Sequence, residues 1–364
     1  VTIVGSAGAE ARTVTLVAAS FLAISPGTRA QRFIKTLDPQ SCDRSLLDRL
    51  AEAMAWPPAE SRSRIETALA RARRALDAAA RNRLTVIAAG DDAYPDLLRH
   101  IVDPPIVLWV RGSPQVLQEP QVAVVGARAA SCAGLAAARE LGQELARSGL
   151  TVVSGMARGA DGAAHAGALD GGGATVAVLG CGADVVYPEE HLRLAERIAE
   201  TGAIVSELAP GALPLRHHFP LRNRIISGLA KAVVVIEASS RSGSLITARE
   251  ALDQGRDVLA VPGPIGSGRS RGCHALIRDG ARLVDSVKDI LEEIGWRRAP
   301  RAGVTNKSLQ MSDLEETMAA GESYTVEDLA SRTGRPAREL LAELGELELA
   351  GRISRIAGGA FVKA

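Results

Sequence analysis

The sequence predicts an α/β protein built on a doubly wound, mostly parallel sheet. Three observations carry this expectation. Between residues 86 and 298, short β-branched runs alternate with helical stretches, the order that a parallel sheet requires. Several of these runs are apolar throughout, as strands buried on both faces are. Turns of small residues follow the runs and open helices. In an open parallel sheet such turns sit at the carboxyl ends of strands, where ligands bind.

The strands are expected at Val122–Val125, Thr151–Ser154, Thr175–Leu179, Ala203–Ser206, Ala232–Glu237 and Val258–Pro262. Helices such as Gly134–Ser148 and Glu189–Glu200 lie between them. Residues 1–85 are helical in pattern. Ile65, Leu69, Ala72 and Leu76 recur at helical spacing with arginines between, which reads as a small bundle with a solvated basic face. Thr13–Ile24 has the apolar character of a signal-peptide core, but Glu10 precedes it and a strongly basic leader is missing. It reads as the first helix of a soluble domain. Residues 299–312 lose periodicity and read as a linker. Residues 313–364 form a third unit, with helical patterns at Asp313–Ala319, Val326–Thr333 and Pro336–Ala350. A hairpin follows, Arg352–Ile356 and Ala360–Lys363 around Gly358-Gly359. Three helices and a hairpin outline a winged helix. Its third helix carries Glu339, Glu343, Glu346 and Glu348. Carboxylates facing phosphates repel them, so a protein-contact or vestigial role is expected.

Composition narrows the class. Of 364 residues, 46% are hydrophobic and only 3% aromatic, so the core rests on Ala, Val, Leu and Ile. The net charge of +1 means that any anion site comes from local clustering. The four cysteines, Cys42, Cys132, Cys181 and Cys273, form no Cys-x-x-Cys pair. A disulfide scaffold and a structural zinc site are not expected, and a reducing, cytoplasmic setting fits. No apolar run is long enough for a transmembrane helix.

The turn after the first central run is Gly126-Ala127-Arg128. A dinucleotide fingerprint needs a second glycine where Arg128 stands, and an acid after the next strand. That strand ends in Ser154-Gly155 instead. Both departures exclude NAD as the expected ligand, and no cofactor or metal is expected. An arginine beside a helix start suits a phosphate, and no carboxylate occurs between Glu119 and Glu140 to neutralise it. The next turn, Ser154-Gly155-Met156-Ala157-Arg158-Gly159-Ala160-Asp161, offers backbone N–H groups for an anion. Asp161 and His165 stand at i and i+4 and can share a helix face. Without a companion nucleophile they read as structural support, not a catalytic acid–base pair.

The segment His217-His218-Phe219-Pro220-Leu221-Arg222-Asn223-Arg224 lies in a window free of carboxylates from Glu207 to Glu237. Arg222 and Arg224 suit backbone phosphates, with Asn223 between them for a base edge. Ser239-Ser240-Arg241-Ser242-Gly243-Ser244 opens a further helix and adds hydroxyl and N–H donors. Standard enzyme signatures fail. No Gly-Lys dipeptide marks a P-loop, and no His-Glu-x-x-His occurs. Gly268-Arg269-Ser270-Arg271-Gly272 matches Gly-x-Ser-x-Gly formally, but Pro262–Ser267 separates it from its strand.

Six stretches then occur in order: VAVVGARAAS, SGMARGADGAAH, VLGCGADVVYP, FPLRNRIISGLAKAVVVIEA, RSGSLITA and GRDVLAVPGPI. Together they closely resemble the DNA-processing protein A (DprA/Smf) family, from about Val122 to Asp289. The resemblance implies a Rossmann-like core, an N-terminal domain like a sterile-alpha-motif domain (1–85) and a C-terminal winged helix (313–364). It implies a non-enzymatic, cytoplasmic homodimer that binds and protects incoming single-stranded DNA in natural transformation and loads RecA recombinase. The strand-binding residues would be Gly126, Arg128, Ser154, Gly155, Arg158, Gly159, Arg222, Asn223, Arg224, Ser242, Gly243 and Ser244. Arg128 matches the family's Gly-Ser-Arg arginine, with Ala127 in place of serine. Many relatives carry a basic residue after the Tyr-Pro pair, where this chain has Glu189 and Glu190. Tyr187 is a candidate for base stacking or, equally, a buried structural tyrosine. The rival reading is a nucleotide-cleaving enzyme of the phosphoribohydrolase type, which needs a Gly-Gly-x-Gly-Thr turn. Ser242-Gly243-Ser244-Leu245 stands in its place.

Overall fold

The computed structural model describes residues 7–22, 45–296, 314, 317–318, 323–349, 353–355 and 360–363. The expected linker at 299–312, Cys42 and the Gly358-Gly359 turn lie outside the described residues. The chain divides into two compact units, residues 1–298 and 299–364.

The first unit opens with helices α1 (Ala7–Leu22), α2 (Ser45–Ala53) and α3 (Pro58–Arg81). Two strands that the sequence reading missed follow, β1 (Thr85–Ala88) and β2 (Val107–Gly112). Then come β3 (Gln121–Gly126), α4 (Cys132–Arg147), β4 (Thr151–Ser154), α5 (Ala160–Asp170) and β5 (Thr175–Val178). Helix α6 (Leu192–Thr201), β6 (Ala203–Ser206), α7 (His218–Leu229), β7 (Ala232–Ile236) and α8 (Ser244–Asp253) continue the alternation. The unit closes with β8 (Asp257–Ala260), α9 (Arg271–Arg278), β9 (Arg282–Leu283) and α10 (Val287–Glu293).

The nine strands form one sheet in the order β1-β2-β6-β5-β4-β3-β7-β8-β9. The pairs β1–β2 and β2–β6 are antiparallel, and the remaining pairs are parallel. The sheet therefore reverses direction of winding between β3 and β7, and ligands in such sheets bind outside that point. Strand β3 shows why these runs are strands. Its side chains alternate between faces, and both faces are covered. Val122 and Val124 pack with Ala138, Leu141 and Leu145 of α4. Ala123 and Val125 pack with Ile225, Ile226 and Leu229 of α7. Each fully buried valine contributes roughly 1.5–3 kcal/mol.

Strand β2 alternates in the same way. Leu108 and Val110 belong to the central core, whereas Val107 and Trp109 join a second core with Leu46, Leu50, Ile65 and Ala72 of the N-terminal helices. The expected boundary near residue 85 thus does not separate two units. The helices cover one face of the sheet's antiparallel edge.

The second unit contains β10 (Ser323–Tyr324), α11 (Val326–Thr333), α12 (Ala337–Leu349), β11 (Ile353–Arg355) and β12 (Phe361–Lys363). The strands pair antiparallel in the order β10-β12-β11. Thr325 caps α11, accepting from the Asp328 N–H at 3.2 Å while the Asp328 carboxylate accepts from its N–H at 2.9 Å, a capping box. Leu314, Tyr324, Leu329, Leu340 and Phe361 form its core. Arg335 pairs with Glu343 at 2.7 Å, so part of the acidic helix is neutralised internally.

Candidate functional site

A cleft of about 520 Å³ opens at the carboxyl ends of β3 and β7. Five parts of the chain line it: 125–129, Ala157 with Asp161, residues from 216–226, residues from 237–247, and Arg269.

Arg128 stands exposed on the turn after β3. Its guanidinium lies 5.5 Å from the centre of the Phe219 ring, within cation–π range. Among the described residues no carboxylate pairs with it. Phe219 in turn packs against Tyr187, with ring centres 5.5 Å apart and planes tilted by 50°. Tyr187 is 39% exposed, so of the two readings for it the buried one is excluded. The three side chains form a short cationic and aromatic ledge.

Arg222 lies below the ledge, buried. Its Nη1 donates to the Val178 carbonyl at 2.5 Å. Burial pulls the guanidinium down to about 10, Asp161 resists this, and neighbouring Arg128 adds to it. The side chain fits because residue 155 is glycine. A Cβ there would fall 2.0 Å from Arg222 Nη1. Asn223 lines the cleft, half-buried. The turns that hold Gly126 and Gly159 are joined by a backbone bond, Ala160 N–H donating to the Ala127 carbonyl at 3.2 Å. Helix α8 begins at the cleft wall. Ser242, Gly243 and Ser244 line it, with the two hydroxyls 2.7 Å apart.

Ser154, Gly155, Arg158, Gly159, Tyr187 and Arg224 do not line the cleft, and three of their side chains are committed to other partners. Arg224 is buried on the far side of α7. Two residues along a helix turn about 200°, so Arg222 and Arg224 cannot serve one surface. Arg224 forms a two-pronged pair with Glu207, at 2.8 and 2.6 Å. It also donates through Nε to Asp103, to the carbonyl at 3.0 Å and the carboxylate at 3.3 Å. The carboxylate-free window held in sequence but not in space. Ser154 is fully buried, its hydroxyl donating to the Val124 carbonyl at 2.6 Å, so it secures β4 to β3. Arg158 is exposed but engaged. It forms a two-pronged pair with Glu190, with Nη2 at 2.7 Å from Oε2. That hydrogen-bonded pairing raises the pKa of Arg158 and lowers that of Glu190. The acidic residue after the Tyr-Pro pair thus neutralises a neighbouring cation of the chain itself.

Asp161 and His165 do not bond to each other. Asp161 accepts from the Ala157 N–H at 3.3 Å and is raised by burial, against the pull of Arg222. His165 is fully buried and bonds through Nδ1 to the Thr175 hydroxyl at 2.7 Å. That hydroxyl donates to the Val152 carbonyl at 2.7 Å, so Nδ1 is the protonated nitrogen. Burial holds His165 down at about 3. The unfolded chain, with a pKa of about 6.5, takes up this proton first. Stability from His165 is therefore intact above about pH 6.5 and falls by about 1.4 kcal/mol per unit of pH toward 3. The raised Asp161 acts in the opposite sense. His165→Gln isolates the histidine: urea unfolding at pH 7 and pH 5 is expected to show a smaller acid loss in the variant. Equal losses in both proteins would refute the assignment.

Sequence reasoning did not single out Phe219, Glu237 or Arg269 as site residues. Phe219 is one of four phenylalanines and sits amid arginines, a legible signal. Glu237 served to end an expected strand and to bound the carboxylate-free window, yet its carboxylate lines the cleft and accepts from Ser131. Arg269 reaches back from a distant loop, its Nη1 donating to the Ala129 carbonyl at 2.7 Å, and no local pattern announces that.

Fold and cleft define a Rossmann-like α/β protein joined to a winged-helix unit. The family model for DNA recombination-mediator protein A matches residues 85–295, and that for the DprA winged helix domain matches 320–359. Protein Smf of Escherichia coli is 43% identical over 284 residues, covering 75% of this chain and 76% of its own. DNA processing protein DprA of Streptococcus pneumoniae is 49% identical over 203 residues, covering 56% of this chain and 72% of its own. The X-ray structure of DprA from that organism superposes with a TM-score of 0.67 at 38% identity, covering 78% of this chain and 95% of its own. A DprA structure from Helicobacter pylori, described for its single-stranded DNA binding mode, gives a TM-score of 0.53 at 27% identity, covering 58% of this chain and 95% of its own. The chain belongs to the DNA recombination-mediator protein A (DprA/Smf) family. That membership carries a DNA-processing role. No helix among the described residues is long and apolar enough to cross a membrane.

Proposed function

We propose that the cleft binds single-stranded DNA and that the protein acts as a recombination mediator by binding, without catalysis. The observation that carries this is the ledge of Arg128 on Phe219 beside Tyr187, above buried Arg222. An unpaired cation beside one exposed and one half-buried aromatic ring suits a phosphate followed by an unstacked base. Kinship with the Helicobacter pylori protein supports the ligand. The pair weighed as an acid–base couple, Asp161 and His165, is spent on internal bonds. Protection of the strand, RecA loading, homodimer formation and a cytoplasmic setting complete the reading, on the strength of the family likeness. The acidic face of α12 suits a protein contact better than a phosphate backbone.

Arg128→Ala is expected to weaken binding of an oligo-dT about tenfold or more. It should also reduce the slope of log affinity against log salt by about 0.7, one phosphate contact on a single strand. Fluorescence polarisation at several salt concentrations reads both quantities. Wild-type affinity in the variant would overturn the assignment.

A further inference from the structure

We propose that Glu237 is a specificity-determining residue, whose carboxylate fills the phosphate seat of the sheet and so bars free nucleotides from the cleft. This deepens the strand-binding reading and rests on it for the identity of the admitted ligand.

The sheet order places the reversal of winding between β3 and β7. In such sheets the helix after the strand at this crevice offers its first N–H groups to a pyrophosphate. That helix is α4, with Ser131 as its N-cap. Strand β7 ends at Ile236, so Glu237 is the first residue beyond it, on the crevice itself. Its side chain is 8% exposed and reaches across to the start of α4. One carboxylate oxygen lies 2.9 Å from Ser131 N and 2.6 Å from Ser131 Oγ. The other lies 3.1 Å from the same N and 3.5 Å from Arg269 Nη1. Ser131 Oγ in turn accepts from Gly134 N at 3.1 Å. The first turn lies flush on the acid: a Cβ at residue 134 would fall 2.2 Å from Glu237 Oε2.

At the start of α4 the Ser131 N–H and hydroxyl are therefore already engaged by an anion of the chain's own, and the Gly134 N–H by Ser131 Oγ. A second anion entering there meets a fixed negative charge in a low-dielectric wall. Arg128 and Arg222 lie in the same cleft but belong to separate segments. They suit phosphates spread along a strand, not one compact phosphate group. The departure from a dinucleotide fingerprint at Arg128 thus has a counterpart in space, supplied from the neighbouring strand.

The test uses the full chain and ADP or inorganic pyrophosphate as probes, by titration calorimetry without DNA. Wild type is expected to show no saturable binding up to millimolar probe. Glu237→Ala is expected to gain at least tenfold in affinity for either probe. Glu237→Gln, which removes the charge and keeps an acceptor for Ser131, should fall between. In a separate arm, millimolar ADP at matched ionic strength should leave wild-type protein bound to oligo-dT. Saturable ADP binding by wild type, displacement of the oligonucleotide, or no gain in a folded Glu237→Ala would each overturn the proposal. If the alanine variant does not fold, Glu237→Gln and the wild-type arms decide. Wild type that ignores oligo-dT would instead sink the strand reading, while the ADP arms still judge Glu237.

Discussion

Arg224→Ala is expected to cost the larger unit about 2–3 kcal/mol of stability, because it removes the cation that half-buried Glu207 and Asp103 share. Arg224 is 6% exposed and faces Glu207 and Asp103. Burial opposes its charge, but these acids more than restore it, so its pKa stands above the usual arginine value. Removing the guanidinium leaves Glu207 and Asp103 without their shared cation and frees the carbonyls of Asp103 and Leu221, which it now binds. Arg224→Lys keeps a charge but loses the planar fork, so it should recover only part of the loss. Urea unfolding followed by circular dichroism measures both. An alanine variant with a wild-type midpoint would show that the pair contributes nothing. Oligonucleotide affinity of the folded fraction should change little, which separates Arg224 from Arg128.

Gly159→Ala should lower stability by about 2–5 kcal/mol and weaken oligonucleotide binding at least tenfold. Gly159 has φ of 78° and ψ of −129°, a region that side chains avoid. An added Cβ would lie 2.2 Å from the Ala127 carbonyl and 2.6 Å from that of Arg128. The clash is with backbone, so the turn that presents Arg128 must move. Thermal unfolding and polarisation together test this. A drop in stability with unchanged affinity would show that Arg128 does not depend on that contact.

These two residues also show what was legible in the sequence. The central strands were readable because their short β-branched runs, several of them apolar throughout, alternate with helices, and the observed limits lie within two residues of the expected ones. Strands β1 and β2 were missed. They are antiparallel additions to a parallel sheet, and Thr85–Ala88 and Val107–Gly112 bear no helix between them of the expected length. Gly126, Arg128, Arg222, Asn223 and the Ser242–Ser244 turn were readable as turn or cation chemistry, and all line the cleft. Arg224 was misplaced because linear spacing does not show which way a helix faces. Its partners Glu207 and Asp103 come from other elements, as Glu190 does for Arg158. A window without carboxylates in sequence says nothing of the carboxylates that folding delivers.

Strand β2 seats Trp109, 1% exposed, beneath the N-terminal helices. The chain's other two tryptophans, Trp56 and Trp296, are only half-buried. Intrinsic emission therefore contains its own gauge. The bluest component comes from Trp109 and reports how firmly those helices sit on the sheet. A red shift that leaves oligonucleotide polarisation unchanged would mark their lifting from that edge while the crevice between β3 and β7 stays whole.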